Sequence, residues 1–153
     1  MRRFEFRLER VRQWRETELE TERAKLAALL RARQELESQL ASLRMTLEQA
    51  ERAVLGPAER GESIRLELLV WITAYRRWAR QQEQLITGRL LDLDRQLDEQ
   101  RQRVLETWRR YELLNRLRSR AWMQWLLESD RELERQASEL TLIRWSRLAD
   151  GQD

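Results

Sequence analysis

The chain contains no cysteine and no histidine, a single proline and only four glycines in 153 residues. The missing Cys and His remove the thiolate and imidazole ligands of zinc sites, thiol nucleophiles and the most usual general base. Without Cys the redox compartment leaves no trace in the sequence. Lysine is nearly absent too: Lys25 stands alone among arginines. Uncharged apolar runs are equally scarce. The longest, Leu68 to Tyr75, is too short to cross a bilayer. Met1-Arg2-Arg3-Phe4-Glu5-Phe6 carries an acid at once and lacks the apolar core of a signal peptide, so a cytosolic location is expected.

What the chain does contain is charge. Asp, Glu, Lys and Arg make up 37% of it, yet the formal net charge is only +3. Acids and arginines alternate along the sequence as they do on solvated helix faces, and a composition this rich in charge and poor in turn formers points to a coiled coil. Leu36, Leu40, Leu43, Leu47, Ala50 and Val54 recur at alternating steps of four and three, which keeps one narrow apolar seam along a helix. The seam runs back through Leu29, Leu26, Leu19 and Leu8. There Arg12, Arg15, Glu22 and Arg33 occupy seam positions, and the two steps of four from Val11 to Leu19 form a stutter. The first helix is therefore expected over residues 4–55, weaker in its first half. Gly56 suits a left-handed helix cap and Pro57 should block continuation.

A turn over 56–63 follows, with Ser63 as N-cap of a second helix over 64–148. Its apolar positions include Ile64, Leu68, Trp71, Tyr75, Trp78, Ile86, Leu90, Leu93, Leu97 and Val104. They continue more loosely through Trp108, Tyr111, Leu114, Trp122, Trp125, Leu133, Leu140 and Ile143. A short link between long helices makes them antiparallel neighbours. The fold class expected is all-α: one extended domain, an antiparallel two-helix coiled-coil hairpin whose second helix is the longer. If Val54 packs near Ile64, Phe4 lies opposite Leu114 and residues beyond about 118 overhang. The alternative makes Gly88 a corner, with residues 90–148 pairing with the first helix.

Three features exceed what a plain hairpin needs. Trp71, Tyr75 and Trp78 form an aromatic ridge at i, i+4 and i+7. They are either seam residues packed on the first helix or, where exposed, anchors for a protein partner. Arg2, Arg3, Arg7, Arg10, Arg12 and Arg15 would meet Arg101, Arg103, Arg109, Arg110, Arg116, Arg118 and Arg120 at the end far from the turn. Positive charge at a helix N-terminus opposes the macrodipole. An acidic partner surface or nucleic acid would account for it, as would a solvated face screened by carboxylates from elsewhere. The overhang, with Trp122, Trp125, Leu133, Leu140, Ile143 and Trp145, must fold back, self-associate or enter a partner.

Phe4-x-Phe6-x-Leu8-Glu9-x-Val11, followed by Arg15-Glu16-x-Glu18 and a long Leu/Ala/Glu/Arg helix, resembles the start of FliJ-family proteins. These are small coiled-coil proteins of the bacterial flagellar type III export apparatus. Arg131-Glu132-x-Glu134-Arg135-Gln136-Ala137-Ser138-Glu139-Leu140 is similar to that family's charged C-terminal motif, except that Ser138 stands where the family usually has Asp before its Glu. The resemblance implies a non-enzymatic stalk, similar to the central stalk of rotary ATPases. Such a stalk links the hexameric export ATPase to the cytoplasmic domain of the export gate and assists export chaperones. It needs no cofactor and no metal, does not act on nucleic acid, and is cytoplasmic, reaching the inner membrane only through partners. Carried to this sequence, it places the ATPase-facing surface at Arg7, Arg10, Arg12, Arg116, Arg120, Trp122 and Trp125. The gate-facing surface falls at Met45, Trp71, Tyr75 and Trp78. The rival readings are the equivalent stalk of a virulence-type secretion system, a coiled-coil tether, and a nucleic-acid-binding coiled coil.

Overall fold

A computed structural model describes residues 3–151, so Arg2 of the expected basic cluster lies outside the described residues. The chain forms two helices, α1 (Glu9–Glu59) and α2 (Leu66–Asp150), and α2 is the longer. They divide into two compact units. Residues 21–105 make the turn unit; residues up to 20 together with those from 106 onward make the terminal unit. In both, the α1 segment runs antiparallel to the α2 segment.

Both ends of α1 differ from expectation. Arg3 to Phe6 are irregular, and the helix begins only at Glu9, whose N–H donates to the Phe6 carbonyl at 3.0 Å. A first turn drawn from Arg3 and Arg7 would set cations on the positive end of the macrodipole, whereas Glu9 sets an acid there. At the other end α1 runs through Gly56 and Pro57 to Glu59. Proline forfeits one N–H and crowds the preceding turn, but a single turn follows it and its carbonyl still accepts. The left-handed residue is Gly61, with φ 80°, rather than Gly56. Gly61 N–H donates to the Ala58 carbonyl at 3.0 Å and Glu62 N–H to the Pro57 carbonyl at 2.9 Å. That bond pair is a Schellman cap. Ser63 does not cap α2; the Arg65 carbonyl accepts from Leu68 N–H at 3.1 Å and from Leu69 N–H at 3.3 Å.

Moving the turn shifts everything beyond it. In the turn unit Arg76 Nε meets Glu51 Oε1 at 2.6 Å, Arg44 Nε meets Glu83 Oε1 at 2.9 Å, and Arg33 Nε meets Asp94 Oδ1 at 2.8 Å. In the terminal unit Phe4, expected opposite Leu114, lies against Trp122 and Trp125 instead. The slip is about two and a half helical turns. Its cause is geometric: each residue by which a hairpin turn moves displaces the facing register by two. The overhang accordingly starts later than expected. Every residue from Arg131 to Ala149 is exposed, while Trp125, Leu126 and Ser129 are still half-buried.

From Leu19 onward the α1 seam is the expected one, with Leu19 and Val54 buried and Leu26, Leu29, Leu36, Leu40, Leu43 and Leu47 half-buried, whereas Leu8, expected on it, precedes the helix and is exposed. The start of the α2 seam is not. Ile72 and Ala79, each 2% exposed, occupy it beside Tyr75, and the same stripe continues through Ile86, Leu90, Leu93, Leu97 and Gln100. Trp71 and Trp78 sit one residue off that line. An alanine and an isoleucine let the two backbones approach where an indole would hold them apart. The second helix passes unbroken through Gly88, so the corner alternative does not occur.

Polar residues at seam positions are matched across the helices. Gln100, 5% exposed, donates through Nε2 to the Glu22 carbonyl at 3.0 Å and also to the Glu22 carboxylate. Arg12 Nη1 reaches Tyr111 Oη at 3.4 Å and Asn115 Oδ1 at 3.5 Å. A buried polar group left alone would cost about 1–3 kcal/mol, so these matched layers favour the observed register over slipped ones.

Candidate docking surfaces

The aromatic ridge stands in the turn unit. Because Ile72, Tyr75 and Ala79 fill the seam, Trp71 and Trp78 are displaced to its flank and stay 49% and 47% exposed. Their rings stack through Tyr75, with centroids 5.3 Å apart at 9° between Trp71 and Tyr75 and 5.5 Å at 29° between Tyr75 and Trp78. Stacking fixes the side-chain rotamers, so a partner meeting this surface orders little that is not already ordered. Leu85, one heptad beyond Trp78 and 56% exposed, prolongs the stripe; its i+7 spacing was visible in the sequence and went unread. Met45 is exposed as expected, but Arg44 pairs with Glu83, which sets Met45 about one turn past Trp78.

The second surface lies in the terminal unit. Phe4 meets Trp122 edge-on at 5.0 Å and Trp125 at 6.0 Å, and the two indoles stack at 5.1 Å. Beside them Arg3, Arg7, Arg10 and Arg118 rim an open cleft of about 700 Å³ whose wall includes Phe4 and Phe6 and also the acids Glu5 and Glu9, which leaves an excess of two positive charges. Arg118 also pairs with Glu9 at 3.4 Å and lies 6.0 Å from the Phe4 ring. Sequence reasoning grouped the arginines and the indoles but set Phe4 on the first helix opposite Leu114 and used Phe6 only for the family resemblance, because a helix expected from residue 4 conceals that residues 3–6 are irregular.

The arginines differ in availability. Arg7, Arg10 and Arg120 are exposed, and Arg116 bonds Glu112 at 3.4 Å from a largely exposed position. Arg12 is engaged inside the seam, where its Nη2 donates to Glu9 Oε1 at 2.6 Å. That bond is the largest cause holding the Glu9 carboxyl below the usual range, and it raises the Arg12 guanidinium in turn. A further pair was missed: Arg15 lies 4.5 Å from the ring of Trp14, which is 58% exposed.

Among the described residues no helix is long and apolar enough to cross a membrane. No family model matches this chain, no curated protein matches its sequence, and no solved structure matches its fold.

Proposed function

We propose that the protein is a non-enzymatic coupling stalk of the FliJ type in a bacterial flagellar type III export apparatus. In this reading it bridges the hexameric export ATPase and the export-gate cytoplasmic domain, and it assists export chaperones. Its place is the cytoplasm, at the inner membrane through those partners alone. The observation that carries the reading is the half-exposed, pre-stacked ridge of Trp71, Tyr75 and Trp78. The seam beside the two indoles is filled by Ile72, Tyr75 and Ala79, so hairpin packing does not require Trp71 and Trp78 there. Exposed clustered aromatics are the residues on which protein interfaces concentrate binding energy. The arginine-rimmed cleft next to Phe4, Trp122 and Trp125 is a second surface of different chemistry, suited to an acidic partner. Two chemically distinct surfaces, one in each unit, fit a protein that engages two partners. The opening Phe4-x-Phe6-x-Leu8-Glu9-x-Val11 adds the family resemblance.

The test is a pull-down with purified export ATPase and gate cytoplasmic domain from the same organism. Trp71→Ala/Trp78→Ala should lose the gate, and Arg7→Glu/Arg10→Glu should lose the ATPase, each leaving the other partner bound. Arg12 is spared because its seam bonds would fail first. A folded protein that captures neither partner would overturn the reading.

A further inference from the structure

The bonds that join the helices through Arg12, Glu16 and Arg118 lie along one flank of the terminal unit. Arg12 reaches Tyr111 and Asn115, the Tyr111 hydroxyl donates to Glu16 Oε1 at 3.5 Å, and Arg118 pairs with Glu9. Val11 and Leu117 each stand one residue before a bonded arginine, about 100° round the helix from it. In an antiparallel pair, one step towards either N-terminus turns both helices to the same side, so Val11 and Leu117 share the opposite flank. Trp14 and Leu113, three and four residues from them, follow on that flank. The pairings of Arg12 with Asn115 and of Glu9 with Arg118 fix the level, which sets Trp14 across from Leu113 and Val11 across from Leu117. Exposure rises from 43% and 38% at Val11 and Leu117 to 58% and 60% at Trp14 and Leu113, as it does from the floor of a groove to its walls. Flanking positions of a self-sufficient coiled coil carry charge pairs, and here the pair across the seam is a valine and a leucine.

We infer that this groove takes an acidic amphipathic helix of a partner protein. Its shape selects a helix: a straight furrow between two antiparallel helices, with apolar residues at two levels about one turn apart, matches the i, i+3 and i+4 anchors of a single helix. Its charge selects an acidic one. On the α2 wall Leu113 is ringed by its neighbours Arg109, Arg110, Arg116 and Leu117, and Arg120 follows Leu117 by one turn. These four arginines stand against Glu106 and Glu112, an excess of two positive charges. Arg116 bonds Glu112, whereas Arg109, Arg110 and Arg120 are exposed and form no ion pair among the described residues. On the α1 wall the charges cancel, since Arg15 bonds Glu18 at 2.8 Å and lies over the Trp14 ring. Hairpin packing gains nothing from three unmatched cations beside an apolar furrow. Glutamates flanking the seam of an incoming helix would pair with them while its leucines cover Val11, Trp14, Leu113 and Leu117. A second copy of this chain is a poorer match, because its helices bring more cations than acids.

The probe is a synthetic peptide of about three heptads, with leucine along its seam and glutamate on its flanks, labelled with a fluorophore and titrated with the full chain. Its anisotropy should rise to saturation, and the affinity should fall with added salt. The same peptide with lysine in place of glutamate should not bind. Trp14→Ala/Leu113→Ala should weaken binding about tenfold, with helical content and thermal midpoint held because both side chains already lie largely in water. Arg110→Glu/Arg120→Glu should weaken it by about as much. Trp71→Ala/Trp78→Ala, in the turn unit, should leave it unchanged. Absence of saturable binding by the glutamate peptide would overturn the inference, as would equal binding of the lysine peptide. Loss of binding in Trp71→Ala/Trp78→Ala, with Trp14→Ala/Leu113→Ala indifferent, would put the peptide on the ridge and overturn it as well. So would sedimentation of the chain alone as a dimer that Leu113→Glu dissolves, which would give the groove to a second copy. The inference does not rest on the export reading. The pull-down alters none of Trp14, Leu113, Arg110 and Arg120, so either can fail while the other stands.

Discussion

Replacing Gln100 with leucine should destabilise the protein, although it puts an apolar side chain into an apolar seam. Gln100 is 5% exposed and its amide donates both to the Glu22 carbonyl and to the Glu22 carboxylate. A hydrogen bond to a charged group contributes roughly 1.5–3 kcal/mol, and its loss leaves the carboxylate facing hydrocarbon. Lys25, 3.0 Å from Glu22 on the outer side, offsets part of that. The net cost should be about 2 kcal/mol, or roughly 4–8 °C in thermal midpoint for a chain of this size. Glu22→Leu/Gln100→Leu should recover most of it, because two matched leucines simply extend the seam. Acid sharpens the test. The Gln100 amide is the largest cause holding the Glu22 carboxyl below its ordinary range, with Lys25 second. A lowered native pKa means the stabilisation is complete above the ordinary carboxylate range and is lost as pH falls through the lowered value. The gap between wild type and Gln100→Leu should therefore close on acidification through that window. Urea unfolding followed by circular dichroism, at neutral pH and in acid, reads both effects. A Gln100→Leu variant as stable as wild type at neutral pH would refute the argument that this polar layer holds the register.

Glycine substitutions should separate by backbone conformation rather than by packing. Gly61→Ala should cost about 1 kcal/mol or more, because φ 80° belongs to the left-handed region. Gly56→Ala and Gly88→Ala, both helical with nothing within 4 Å of an added Cβ, should each stabilise by roughly 0.5–1 kcal/mol in the same unfolding assay. Ile72→Ala should cost about 2–4 kcal/mol as a cavity in the seam. Trp78→Ala, despite removing a far larger side chain, should cost about 1 kcal/mol, chiefly its stacking on Tyr75, by the same measurement. Arg12→Ala should lower the thermal midpoint more than Arg10→Ala, since only Arg12 bonds across the seam to Tyr111 and Asn115.

Helix content and the α1 seam were legible because period is a local property. Leucines at steps of three and four specify one face whatever packs on it. The α2 seam was misread at its start because Trp71 and Trp78 fit the period as well as Ile72 and Ala79 do. Which pair turns inward depends on how closely α1 approaches, and that is not a property of α2. The helix ends were misread for a similar reason. Gly56 and Pro57 look like a stop, but a Schellman cap is settled by which glycine takes a positive φ with its two return bonds. Four residues of error at the turn became two and a half turns of error at Phe4, because a hairpin doubles every displacement of its bend. Of the expected surfaces, the ridge was visible as spacing, whereas its exposure was not.

By itself the sequence determined an all-α chain, a second helix longer than the first, and the absence of imidazole and thiol chemistry. Those follow from composition and period, which each segment carries alone. Only the tertiary structure decided the register, and the register decided the rest. It gave Arg12, already on the seam by period, its partners Tyr111 and Asn115, and set the Trp71 and Trp78 rings outside a seam closed by Ile72 and Ala79. It also left the stripe from Leu133 to Ile143 without a neighbour. Each is a statement about which face meets which, and that is fixed only when two helices pair.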